Sequence, residues 1–181
     1  MNLRSSTTNG RPVRVSTIIN ANSDRVWAVI STPGNLENVH PFCFSNPVSA
    51  WPGVGAHDEV HYRSGWVYHR HFSDWIDETG YDLDIGATGE ETSHVSWRLH
   101  PLDDEHTRLT IKVWPRPISR IPGLRQFLRI IIVGPLMRRY LQAVTAGVNW
   151  YVINGEPVKE DQFGSHIWFS EKKRHRSSLL A

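Results

Sequence analysis

Between Pro47 and Trp114, apolar side chains recur at every second position in one short run after another, and a sustained helical period begins only afterwards. A period of two sends alternate side chains to opposite faces of a strand, so each run has one apolar and one polar face. Tyr81, Leu83 and Ile85 alternate with Asp82 and Asp84. Val95, Trp97 and Leu99 alternate with Ser96 and Arg98, and Leu109, Ile111 and Val113 with Arg108, Thr110 and Lys112. Tight-turn residues separate the runs, which is the pattern of an antiparallel meander. A further strand, with Val13, Val15, Thr17 and Ile19 on one face, precedes the meander.

Within the meander, Ser64-Gly65 predicts a two-residue hairpin turn, because glycine tolerates the positive φ that such turns need. That turn sets Tyr62 opposite Val67, Val60 opposite His69, Glu59 opposite Arg70 and Asp58 opposite His71. Asp58, Val60, Tyr62, Val67, His69 and His71 would then share the inner face. His57, Glu59, His61, Arg63 and Arg70 would share the wet one.

Two short helices are expected between the first strand and the meander. Asn22 and Ser23 offer cap oxygens to a helix burying Val26, Trp27 and Ile30, which Pro33-Gly34 ends. A second, from Asn35 to about Val39, stops at Pro41. After Trp114, prolines at 115, 117 and 122 stiffen the connection to an apolar helix over Leu124 to Val133. A longer helix starts at Pro135, with Met137, Leu141, Val144, Val148 and Tyr151 on one stripe flanked by Tyr140 and Gly147. From Pro135 to Val152 it would be about 27 Å long, enough to cross the sheet before Asn154-Gly155 stops it.

The chain has 181 residues, so one domain suffices. Residues 1–11 read as a flexible leader, 12–154 as the folded unit and 155–181 as a partly flexible extension. A net charge of +2 is too mild to imply nucleic acid. The longest apolar run, Ile130 to Met137, is far short of the roughly 20 residues that span a bilayer. One cysteine, Cys43, and no secretory leader at the start give the expectation of a cytoplasmic setting. Eight tryptophans and ten histidines suit a pocket for ring-bearing ligands. There is no phosphate-cradling glycine loop, zinc spacing or nucleophile elbow, which disfavours ATP-driven and hydrolase chemistry. No metal, no cofactor and no particular oligomeric state is signalled.

The order of strand, two short helices, meander and long C-terminal helix resembles the START-like superfamily, also called SRPBCC, which includes polyketide cyclases and lipid-transport domains. The residues that carry the resemblance are Ile19-Asn20-Ala21 leading into Asp24-Arg25-Val26-Trp27, then Pro33-Gly34-Asn35-Leu36, His40-Pro41 and Gly53-Val54-Gly55. Thr107 to Ile111 and the closing amphipathic helix complete it. Residues Gln162 to Ser170 resemble the end of one branch of that superfamily. The resemblance implies an α+β helix-grip fold, in which a curved antiparallel sheet of about six to seven strands wraps the long helix around a cavity. It does not by itself imply a reaction.

Within that frame, Val60, Tyr62, Val67, Tyr81, Leu83, Trp97, Met137, Tyr140, Leu141, Val144 and Val148 are the expected ligand-binding wall. His69, His71 and Asp58 form the candidate catalytic group, since a carboxylate opposite an imidazole can orient a general base. Three readings follow. The first is binding or carrying a hydrophobic, aromatic or polyketide-like small molecule. The second is a cofactor-independent cyclase or dehydratase that uses the His/Asp group. The third is a peripheral lipid-transfer protein, in which Arg116, Arg120, Arg125 and Arg129, interleaved with apolar side chains, meet an anionic surface.

Overall fold

The computed structural model describes residues 11–116 and 129–172. Eight strands form one antiparallel sheet: β1 (Val13–Ile19), β2 (Cys43–Ser45), β3 (Val48–Ala50), β4 (His57–Tyr62), β5 (Val67–Ile76), β6 (Gly80–Gly86), β7 (Ser93–Pro101) and β8 (Thr107–Trp114). Their order is β1-β8-β7-β6-β5-β4-β2, with β3 also paired to β4. The short strands β2 and β3 bring the number above the six or seven expected.

Helices α1 (Ser23–Ile30) and α2 (Leu36–Val39) follow β1, and α3 (Gly134–Asn154) closes the domain behind a π-helical turn, Arg129–Val133. The Asn22 side chain accepts from the Arg25 backbone N–H at 2.9 Å, which caps α1. The apolar helix expected over Leu124 to Val133 lies largely outside the described residues, as does most of the basic-apolar surface assigned to it.

The alternation read from β1, β6, β7 and β8 holds. Tyr81 pairs with Trp97, Leu83 with Val95, Trp97 with Ile111 and Val15 with Ile111 on the face that meets α3. Against them α3 buries Leu141, Val144, Val148 and Val152. Gly147 is where α3 comes closest to α2. A Cβ there would stand 2.1 Å from the Val39 carbonyl oxygen, so only glycine lets the two helices meet.

The β4–β5 register differs from expectation by one residue. The Gly65 N–H donates to the Tyr62 carbonyl at 2.9 Å, and the Tyr62 N–H donates to Trp66 at 2.8 Å. The loop is therefore the three residues Arg63, Ser64 and Gly65, with Gly65 at φ +89. A three-residue loop ending in a left-handed glycine is the next commonest hairpin after the two-residue type. Asp58 pairs with Arg70, Val60 with Tyr68 and Glu59 with His69. Because side chains alternate, the slip leaves the faces of β4 as expected and inverts those of β5. Tyr68, Arg70 and Phe72 turn inward. Val67, His69 and His71 share the opposite face with His57, Glu59 and His61.

Candidate functional site

A cavity of about 1890 Å³, partly open to solvent, is lined by the first half of α3, strands β4 to β8 and the loop after β6. Val60 and Tyr62 from β4, Leu83 from β6, Trp97 from β7, and Met137, Tyr140, Leu141 and Val144 from α3 line it, as the sequence leads one to expect. Three other expected wall residues do not. Tyr81 and Val148 are fully buried in solid packing, and Val67 is 39% exposed on the other face of β5. Tyr68, Trp168 and Phe169 line the cavity without having been expected to.

The register also dismantles the expected His–Asp arrangement. Asp58 points inward and accepts from Arg70, at 2.7 Å from Nε and 2.5 Å from Nη2, with both side chains buried. Burial opposes the Arg70 charge, but Asp58 outweighs that and leaves the guanidinium more firmly protonated than usual. His69 and His71 are among the lining residues, but their side chains leave β5 on the face opposite to Arg70. His69 bonds Thr88 at 2.8 Å and lies 3.7 Å from Glu59, while His71 packs against His57 with ring centroids 6.4 Å apart. Neither histidine sits opposite Asp58, so no carboxylate-oriented imidazole forms there. Among the described residues no group of three or more His, Cys, Asp or Glu side chains converges as a metal site would require.

What the cavity holds instead is a chain of three polar groups from three segments. His40, just past α2, lies 2.8 Å from the Tyr140 hydroxyl, which lies 3.0 Å from the Tyr62 hydroxyl. The Phe42 backbone N–H donates to His40 Nδ1 at 3.2 Å, so the ring proton of the neutral imidazole sits on Nε2 and is donated to Tyr140. Burial, reinforced by Arg70, pushes His40 down to about 3, and the ring stays neutral at any ordinary pH. Burial raises both tyrosines well above the usual phenol range, so their hydroxyls keep their protons. Cys43 is buried nearby, its thiol pushed up to about 12 by burial, and is inert.

The residues after α3 build the wall behind this chain. Val158 N–H bonds the Asn38 carbonyl and Asp161 N–H bonds that of Pro41, so the extension is stitched to the end of α2. Its turn is closed by Ser170, which donates to Asp161 at 2.5 Å and accepts from the His166 N–H at 2.7 Å. Phe169 is thereby held over Tyr62 and Tyr140, with ring centroids 4.4 and 4.7 Å away. The density of aromatics in Phe163, Trp168 and Phe169 was the signal that this stretch packs. For Arg70 the corresponding signal was the alternative loop length.

A curved antiparallel sheet gripping a long helix around an aromatic-walled cavity defines a helix-grip, cavity-bearing protein. The model of the polyketide cyclase/dehydrase and lipid transport family matches residues 11–148, and the chain belongs to that family. No curated protein matches it. Among solved structures it is similar to DynU16, a protein of the dynemicin biosynthetic locus, with 20% identity and a TM-score of 0.61 over 84% of this chain and 51% of that one. It is also similar to the di-domain ARO/CYC BexL of the BE-7585A pathway, with 10% identity and a TM-score of 0.63 over 78% of this chain and 47% of that one. A Thalictrum norcoclaurine synthase matches at 15% identity and a TM-score of 0.57, over 80% of this chain and 95% of its own. The chain thus spans about half the length of DynU16 and BexL, and at these identities the likeness is one of fold. No helix among the described residues is long and apolar enough to cross a membrane.

Proposed function

We propose that this chain binds or carries a hydrophobic, ring-bearing small molecule of aromatic or polyketide-like class in the cavity between the sheet and α3. The observation that carries the reading is the cavity itself, about 1890 Å³ with Tyr62, Tyr68, Trp97, Tyr140, Trp168 and Phe169 in its walls. Binding pockets for drug-sized molecules are commonly about 300 to 1,000 Å³ and mostly apolar, so this one has room for several fused rings. Tyrosine and tryptophan present flat apolar area while keeping a polar tip for orientation. The wall residues proposed to contact the ligand are Val60, Tyr62, Leu83, Trp97, Met137, Tyr140, Leu141 and Val144.

Native mass spectrometry of protein purified from its own host tests this directly. The expected result is a mass increment that is lost on denaturation, together with enhanced fluorescence of an added apolar probe once the retained molecule is stripped. Protein that carries no increment and leaves the probe fluorescence unchanged overturns the reading.

A further inference from the structure

The polar chain at the inner end of the cavity has one more proton than it has partners. His40 Nε2, the Tyr140 hydroxyl and the Tyr62 hydroxyl each carry one hydrogen. Only two contacts join them, at 2.8 and 3.0 Å. The Phe42 N–H bond to Nδ1 fixes the imidazole tautomer, so His40 cannot take up the surplus by accepting from Tyr140. If Tyr140 donates to Tyr62, the spare proton is on Tyr62; if Tyr62 donates to Tyr140, it is on Tyr140. In both arrangements one phenolic O–H is left over, on a side chain that lines the cavity. A buried donor without a partner costs free energy, so a ligand atom that accepts this proton is favoured over one that cannot.

The charges of the wall decide what sort of acceptor this is. Arg70 is the one cation at the inner end among the described residues, and its charge is already matched by Asp58 in a two-point pair. Toward the rim Arg116 is bonded to Glu90, with Glu91 beside them, while Asp84 leaves β6 on the other face and pairs with His94 at 3.0 Å. Each arginine of the described wall is thus matched by a carboxylate. An incoming carboxylate would give up its hydration without finding an unmatched arginine among the described wall residues. An uncharged carbonyl loses little on entry and gains the waiting O–H.

Building on the proposed binding function, we infer that the site selects an uncharged ring-bearing molecule whose ketone, ester or amide oxygen accepts a hydrogen bond from the Tyr62–Tyr140 pair, and that it rejects free carboxylic acids. The cavity therefore suits neutral ketones and masked acids rather than fatty-acid anions.

Three probes with one ring system and different head groups test it: naphthalene, 2-acetylnaphthalene and 2-naphthoate, each displacing an apolar dye from the full-length protein at pH 7.5. The ketone is expected to bind about threefold to tenfold more tightly than naphthalene, the usual net gain from one hydrogen bond. Naphthoate is expected to bind at least about tenfold more weakly than the ketone. In the double variant Tyr62→Phe/Tyr140→Phe the ratio of ketone to naphthalene affinity should fall to near one, with circular dichroism reporting on the fold. Naphthalene binding with no ketone advantage in the unaltered protein, or naphthoate binding as tightly as the ketone, overturns the inference and leaves the cavity function standing. If none of the three displaces the dye, the binding function itself fails.

Discussion

The inner face of the sheet is covered in two ways, and its two halves differ in what they can do. Under α1 and the second half of α3 it is solid. Trp75 stacks on Tyr81 at 5.4 Å, Phe72 meets Tyr81 at 5.1 Å and Trp51 at 4.9 Å, and Trp27 of α1 closes on Trp75 at 5.5 Å. Under the first half of α3 the aromatics cluster at one end, with Phe169 on Tyr62 at 4.4 Å and on Tyr140 at 4.7 Å, and the cavity opens beside them. The solid half buries aromatic area without open space, and two of its indole donors are satisfied locally, Trp51 by the Ser31 carbonyl at 2.8 Å and Trp75 by Asp77 at 2.9 Å. In the open half a surplus donor and a matched ion pair face the space. The first region supplies close packing and the second the space that the proposed function requires, although both are lined by aromatics on one continuous sheet face.

Substitutions can break or sharpen that contrast. The largest effect is expected from Phe72→Ala in the solid half, a loss of about 3 to 5 kcal/mol in chemical denaturation, because the side chain is fully buried among rings. Next comes acid. His40 is held neutral in the folded protein with its value down at about 3, whereas the unfolded chain takes up a proton near pH 6.5. Stability therefore falls as pH drops below 6.5, by roughly 1.4 kcal/mol per pH unit for this group, or about 2 kcal/mol between pH 6.5 and 5. His166, also lowered by burial, adds a slope of the same sign. Denaturation at several pH values should show a shallower acid slope for His40→Gln; an unchanged slope would mean that His40 is solvated.

Leu141→Ala should cost less than about 2 kcal/mol, since one side of its side chain borders the cavity, while the affinity for an apolar probe changes. A cost equal to that of Phe72→Ala, with probe binding untouched, would show that the open half is as solid as the other. The smallest effect is expected from Val67→Ser, within about 0.5 kcal/mol and without influence on the probe, because Val67 projects from the convex face. A weakened probe would restore the two-residue turn and return Val67, His69 and His71 to the inner wall.

Much of the architecture is already written in local periodicity. Val13 to Ile19, Tyr81 to Ile85, Val95 to Leu99 and Leu109 to Val113 each face the core as their alternation demands, and the α3 stripe through Leu141, Val144 and Val148 turns toward the sheet. Such patterns depend on neighbours a few residues away, and burial of one face leaves each run a single orientation. The candidate site depended on other information. Whether Asp58 meets His71 or Arg70 turned on one residue of loop length between Tyr62 and Trp66, and both loop types suit the residues present. The meeting of His40 with Tyr140, separated by 100 positions, needed the close approach of α2 and α3 at Gly147. Phe169 came to rest on Tyr62 only because the extension after α3 is bonded to Asn38 and Pro41. Alternation assigns a face to each strand, but register and long-range packing choose which side chains share it, since those choices are made by contacts between segments that carry no mark of one another in the linear chain.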